Sequence, residues 1–101
     1  MLLTGKKTLV TGSSSGIGLG VAEVFARQGA EVILTSERAL ADSPGVQEVL
    51  KLPGTSYLQA DVTQPDVATR VLAEAWTRLG HLDVLVNNVG TFREPAFLEL
   101  E

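Results

Sequence analysis

Short apolar runs alternate along this chain with segments in which apolar residues recur at helical spacing. The runs are partly β-branched and are bounded by Gly, Pro or polar residues, which is typical of buried strands. Four strands are therefore predicted, the first centred on 8–10 and the others over 31–35, 56–60 and 82–87. The third run is less hydrophobic than the others, and this suits a strand at the edge of a sheet.

The first two predicted helices lie on either side of the second strand. A short helix is predicted over 44–52, because Pro-Gly pairs bound that segment. The first helix is longer and ends at Gln28-Gly29, with Gly just past its last turn. Its predicted core stripe is Ile17, Val21, Val24 and Phe25.

The third predicted helix carries signals at both of its ends. Thr63 and Asp66 resemble a capping box, Pro65 falls in the first turn, and Gly80 marks the end. We expect Trp76 to lie in the core rather than against a cofactor. The predicted core stripe is Val67, Val71, Ala75 and Leu79.

This order of elements predicts the fold class. Strands that alternate with helices indicate a parallel sheet built by right-handed crossovers, with the first two helices on one face and the third on the other. The expected fold is α/β, a Rossmann-like doubly wound parallel sheet of strand order 3-2-1-4, with 1–101 as one nucleotide-binding domain. A ligand is then expected in the crevice between the C-terminal ends of the first and fourth strands.

Composition and charge exclude several classes of partner. The 101 residues include 45% hydrophobic and 20% charged residues, and the net charge of −4 lacks the basic surplus that nucleic acids or anionic membranes attract. Without cysteine and with His81 as the single histidine, a metal site is not expected. No apolar run approaches the roughly 20 residues that span a bilayer. We therefore expect a cytoplasmic protein.

The segment after the first strand is rich in Gly and Ser and opens the first helix. Glycine permits a sharp turn and a close approach of the backbone to a ligand, while the helix start offers N–H groups that suit a pyrophosphate. A loop of this composition that binds nothing is the alternative. The candidate cofactor-binding residues of the loop are Gly12, Ser14, Ser15, Gly16, Ile17 and Gly18.

Three motifs in order give this chain a specific resemblance. They are Thr11-Gly12 followed by Gly16-Ile17-Gly18, then Asp61-Val62 after the third strand, and Asn87-Asn88-Val89-Gly90 after the fourth. Together they resemble the short-chain dehydrogenase/reductase family, over essentially the whole chain. The family has Ala where this sequence has Val89.

The resemblance implies a nicotinamide dinucleotide as cofactor and further site residues. It implies that the Asp61 carboxylate meets the adenine amino group and that Val62 packs on the ring. From its own chemistry, Asp61 is equally suited to cap the third helix. Asn88 suits both a link between the first and fourth strands and a ribose contact. Val89 and Gly90 complete the implied set.

Cofactor choice depends on the residues that end the second strand. An acidic residue at position 36 would bind the free 2′-hydroxyl of NAD and repel the 2′-phosphate of NADP. Ser36 does neither. Arg38 suits a phosphate, but Glu37 beside it opposes one. Ser36 and Arg38 are therefore candidate cofactor-binding residues, and the pattern slightly favours NADP over NAD.

The resemblance implies a reaction whose catalytic residues this sequence does not contain. It implies a catalytic Tyr followed four residues later by Lys, with hydride transfer between the cofactor and a small carbonyl or alcohol. Here the single tyrosine, Tyr57, is followed four residues later by Asp61. No residue is assigned as catalytic, and we expect these 101 residues to be the inactive cofactor-binding half of an oxidoreductase.

Two alternatives from other classes stay open, and one prediction concerns association. The first alternative is a non-catalytic module that binds NAD(P). The second is an interaction fragment that needs another chain to complete its fold. The fourth strand carries Val84-Leu85-Val86 and has no predicted strand beyond it, so its edge is expected to recruit partners. We expect a homo-oligomer, or dependence on a C-terminal half.

Overall fold

The computed structural model describes residues 2–88, which form a four-stranded sheet flanked by helices. The strands are β1 (Lys7–Thr11), β2 (Glu31–Ser36), β3 (Thr55–Gln59) and β4 (Val84–Val86). The helices are α1 (Gly16–Arg27), α2 (Pro44–Val49) and α3 (Pro65–Leu79). A single 3₁₀ turn over Leu40–Asp42, which the sequence pattern did not predict, precedes α2 in this part of the chain.

The sheet has the predicted strand order and direction. Its order is β3-β2-β1-β4 and all three pairings are parallel. Val10 of β1 is in register with Leu34 of β2 and Val86 of β4. The α/β, Rossmann-like fold class is therefore confirmed, and the C-terminal ends of β1 and β4 lie side by side.

The side chains of the sheet alternate between two core layers. Val10 and Leu34 face the layer covered by α1 and α2, while Leu9 and Ile33 face the layer covered by α3. All four are fully buried. Coverage on both faces explains why these strands read as continuous apolar runs rather than as alternating ones.

The predicted core stripe of α1 is wrong for Ile17 and Val24 and correct for Val21 and Phe25. Ile17 is 78% exposed and Val24 is 58% exposed, while the helix buries Gly18, Ala22 and Ala26. Small residues on the buried side bring the helix backbone close to the sheet, and the larger side chains are left at the flanks. Val21 and Phe25 are partly buried against the α1 side of the core, as predicted.

The predicted capping box of Thr63 and Asp66 is wrong, whereas Pro65 in the first turn of α3 and the end at Gly80 are correct. The N-cap is Gln64, and no side chain of the described region caps the helix. Thr63 instead donates from its backbone N–H and its hydroxyl to Asp61. Gly80 has a φ of 85° and closes the helix in the left-handed conformation, which glycine adopts without a Cβ penalty.

Two further predictions differ from the structure. Trp76 is 51% exposed on α3 and is not a core residue. The strand β4 spans three residues rather than the predicted six, although Leu82 is buried just before it. Within residues 2–88, no helix has both the length and the apolar content needed to cross a membrane.

Candidate functional site

The predicted site residues of the described region all lie at or after the C-terminal ends of strands. The Gly/Ser loop of residues 12–18 follows β1, Ser36 and Arg38 end or follow β2, Asp61 and Val62 follow β3, and Asn88 follows β4. Parallel strands end at one edge of a sheet, so these segments line a common edge with the loop at its centre. Val89 and Gly90 lie outside the described residues.

Glycine is required at three points of the loop. Gly12 and Gly16 have φ values of 61° and 59°, in the left-handed region that favours glycine. At Gly18 a Cβ would lie 2.3 Å from the carbonyl oxygen of Gly12. Gly18 therefore lets α1 pack against the turn that leaves β1, whereas a Cβ on Gly16 would meet no protein atom within 4 Å. The space beside Gly16 is open to a ligand.

The N-terminus of α1 has the features of an anion site. Ser15 is the N-cap, its side chain makes no capping hydrogen bond within residues 2–88, and the first turn holds no acidic residue. Ser15, Gly16 and Ile17 are exposed. The first N–H groups of a helix have no intrahelical acceptor, so these amides are suited to bind phosphate oxygens. Residues 12–18 include no Lys or Arg, so backbone amides are the main donors that this helix start offers.

Ser13 anchors the loop from its buried side, a role that the sequence pattern did not indicate. It is fully buried, and its Oγ donates to the carbonyl of Val10 at 2.9 Å. The same oxygen accepts the N–H of Thr35 at 2.9 Å, while the Ser13 N–H donates to the Thr35 carbonyl at 3.1 Å. The loop is thus attached to β2 as well as to β1. In a run of three serines, nothing distinguished this one.

Thr11 and Asn88 join β1 to the end of β4. The backbone N–H of Asn88 donates to Thr11 Oγ1 at 3.1 Å, and Asn88 Nδ2 donates to the carbonyl of Gly12 at 3.2 Å. Thr11 Oγ1 also lies 3.2 Å from Asn87 Oδ1. The predicted strand-linking role of Asn88 is therefore confirmed. Its ribose contact stays a prediction, and the strand-end Thr11 is a participant that sequence reasoning missed.

Asp61 is an exposed carboxylate that organises the turn before α3. Its Oδ1 accepts from Thr63 Oγ1 at 2.5 Å and from the Thr63 N–H at 3.0 Å. These bonds lower the pKa of Asp61 below its ordinary value of 3.8, against a smaller effect of desolvation. The ionised group keeps acceptor capacity for an amine. Val62 is only 4% exposed and belongs to the core beneath α3, so little of its side chain is accessible to a ligand.

The turn that follows β2 combines a buried serine with two exposed charges. Ser36 is 3% exposed, and its Oγ accepts the N–H of Arg38 at 3.0 Å. The side chains of Glu37 and Arg38 are exposed at this end of the sheet. Ser36 therefore shapes the turn, and Glu37 and Arg38 are its exposed charged side chains.

A groove of about 650 Å³ lies between β3 and α3, away from the Gly/Ser loop. Asp61 is the single predicted site residue on its described lining, which otherwise includes Leu58, Arg70 and Arg78. Its described lining contains no glycine and no residue of the 12–18 loop. The strand-end crevice is the better candidate site because the backbone constraints of Gly12, Gly16 and Gly18 converge there.

Comparison with known proteins extends this description. The profile of the short chain dehydrogenase family matches residues 6–101. A putative ketoacyl reductase 2 of the granaticin polyketide synthase from Streptomyces violaceoruber is 45% identical over 92 residues, which cover 91% of this chain and 36% of that protein. The L-fucose dehydrogenase of Bos taurus is 35% identical over 95 residues, covering 94% of this chain and 34% of its own.

Solved structures agree with the sequence comparison. A short chain dehydrogenase from Burkholderia cenocepacia J2315, crystallised in complex with NADP, superposes with a TM-score of 0.80 and 36% identity. The match covers 92% of this chain and 39% of that one. The chain thus spans between a third and two fifths of the length of these relatives. With the family profile matched over residues 6–101 and the same fold in the solved relatives, this chain belongs to the short chain dehydrogenase family.

Proposed function

We propose that the protein is an NAD(P)-dependent oxidoreductase and that this chain forms its dinucleotide-binding part. The observation that carries the proposal is the Gly/Ser loop, in which Gly18 closes on Gly12 while the start of α1 stays uncapped and exposed. Such a helix start favours a bound anion both by its free N–H groups and by its dipole. Family membership and the NADP complex of the Burkholderia relative support the same assignment.

The described residues fit a dinucleotide at three places. The amides at the start of α1 would hold the pyrophosphate, the turn after β2 would meet the adenosine ribose, and Asp61 would accept from the adenine amine. Asn88, which links the strands, would add a ribose contact as a fourth. When bound, the cofactor supplies the hydride acceptor or donor. The chain contributes binding and orientation.

The proposed reaction is the interconversion of a small carbonyl compound and its alcohol. Proton transfer to the substrate oxygen falls to residues outside this sequence, since Tyr57 donates to the Arg38 carbonyl at 2.6 Å and is not at the crevice between β1 and β4. The proposal therefore gives these 101 residues no turnover of their own. The exposed Arg38 and the absence of an acid at Ser36 favour NADP slightly over NAD.

Isothermal titration of the purified protein with NADP⁺ and NAD⁺ tests the proposal. We expect binding of at least one of them, and we expect Gly16→Ala to weaken it more than tenfold because its new methyl group enters the open space beside the loop. Gly5→Ala is the matched control, since Gly5 also has a positive φ and open space at its Cβ but precedes β1, at the opposite end of the strand from the loop. Absence of binding to both dinucleotides by the wild-type protein would refute the function.

A further inference from the structure

Tyr57 lies on β3, yet its phenol reaches the turn at the end of β2. The hydroxyl donates to the carbonyl of Arg38 at 2.6 Å and lies 3.0 Å from Ser36 Oγ. The ring is partly buried against the α1 side of the core. The hydroxyl therefore contacts the segment from which the exposed side chains of Glu37 and Arg38 leave.

The three polar groups form a closed ring of hydrogen bonds. The Arg38 N–H donates to Ser36 Oγ, and the Tyr57 hydroxyl donates to the Arg38 carbonyl. Because each hydroxyl has one hydrogen, the remaining contact must be donated by Ser36 to Tyr57. Both backbone groups of Arg38 are thus held by side chains, and hydrogen bonds in such a ring polarise and strengthen one another.

A second side chain of β3 holds the same turn. Gln59 Nε2 donates to the carbonyl of Glu37 at 3.1 Å. Gln59 is two residues beyond Tyr57 on the strand, so both side chains belong to the same face of the sheet. The carbonyls of Glu37 and Arg38 are therefore both fixed by β3, and the two charged side chains leave from a backbone with little freedom.

We infer that Tyr57 is a positioning residue for cofactor choice, which holds the Glu37-Arg38 turn so that Arg38 can bind the 2′-phosphate of NADP. The inference rests on the proposed function. Gln59 supports the same turn through the Glu37 carbonyl. NAD lacks the 2′-phosphate, so its affinity depends less on how the Arg38 backbone is held.

Tyr57→Phe isolates the hydroxyl, because the ring keeps its packing while the Arg38 carbonyl loses its donor. We expect the dissociation constant for NADP⁺, measured by isothermal titration, to rise about threefold to tenfold, the ratio given by a hydrogen bond of ordinary net strength. The constant for NAD⁺ should change less than about twofold. Ser56→Ala is the matched control, since Ser56 is the adjacent residue of β3 and contacts Arg78 instead.

Hydrogen exchange gives a readout that does not depend on cofactor. In the absence of dinucleotide, peptides that cover residues 36–38 should exchange faster in Tyr57→Phe than in the wild type, with exchange in β1 unchanged. Should the Tyr57 variant fold poorly, Gln59→Leu is expected to lower the NADP⁺ to NAD⁺ affinity ratio in the same direction.

The two proposals fail in different ways. A wild type that binds neither dinucleotide refutes the function and this inference with it. A wild type that binds, together with a folded Tyr57→Phe variant of unchanged affinity ratio, overturns the role of Tyr57 alone. Faster exchange at 36–38 with an unchanged ratio also overturns it, since the hydroxyl would then order the turn without affecting cofactor choice.

Discussion

A methyl group on Gly18 would lie 2.3 Å from the carbonyl oxygen of Gly12 and 2.8 Å from Asn88 Nδ2. The oxygen of Gly12 is also the acceptor of the Asn88 side chain. One close approach therefore joins the start of α1, the turn after β1 and the end of β4. Any enlargement of Gly18 has to move all three.

Gly18→Ala is expected to destabilise the fold, because the new methyl group overlaps backbone atoms that cannot rotate away. The cost of overpacking of this kind is about 1–3 kcal/mol. Gly20→Ala on the same helix has open space at its Cβ and should stabilise by about 0.5–1 kcal/mol. Urea denaturation of both variants gives the comparison, and equal stabilities would show that the loop relaxes without cost.

Ser13→Ala is expected to lower the free energy of unfolding by about 1–3 kcal/mol, the cost of a buried polar group without its partner. The substitution removes the acceptor of the Thr35 N–H from a fully buried position. Thr77→Ala removes a hydroxyl that donates to a carbonyl one turn earlier on an exposed stretch of α3, and should change stability by less than about 0.5 kcal/mol. Thermal or urea unfolding measures the stability of both variants. A Ser13→Ala protein as stable as the wild type would mean that a water molecule replaces the hydroxyl.

Stability is expected to fall in acid through Asp83, which lies just before β4. The backbone N–H of Lys7 donates to its carboxylate at 2.8 Å and lowers its pKa below the ordinary value of 3.8, opposed by desolvation and aided by His81 and Lys6. A depressed folded-state pKa means that the stabilisation is present above 3.8 and is lost as the pH falls through the lower folded value.

Asp83→Asn tests this pH dependence, because the amide keeps the shape but not the charge. Urea denaturation at a series of pH values should show the wild type more stable than the variant near neutrality, with the difference shrinking below pH 3.8. A difference that stays constant down to the lowest pH would show that the Asp83 charge does not stabilise the fold.

Glu37→Arg should move cofactor preference toward NADP. The substitution removes an exposed acid and adds a base beside Arg38, where a 2′-phosphate is proposed to lie. Titration with NADP⁺ and NAD⁺ at low and high salt is the measurement, because a charge effect between exposed groups weakens as salt screens it. Affinity ratios that match the wild type at low salt would place the Glu37 side chain away from the ribose.

Much of the site could be predicted because its constraints are local. Gly12, Gly16 and Gly18 are spaced for one strand-to-helix turn, and the strand order places Asn88 beside that turn once a parallel sheet is predicted. Apolar runs and Gly stops at positions 29 and 80 likewise determined the order of the elements. These features can be predicted from the sequence because each depends on backbone conformation within a few residues.

Tertiary packing alone decided the rest. The buried side of α1 consists of the small residues Gly18, Ala22 and Ala26. Small side chains there let the helix backbone pack close to the sheet. The burial of Ser13 and the reach of Tyr57 to Arg38 depend on which strands are neighbours, with partners about 20 residues away. Periodicity along one chain carries no information about such contacts, because they form only when β1, β2 and β3 are aligned side by side.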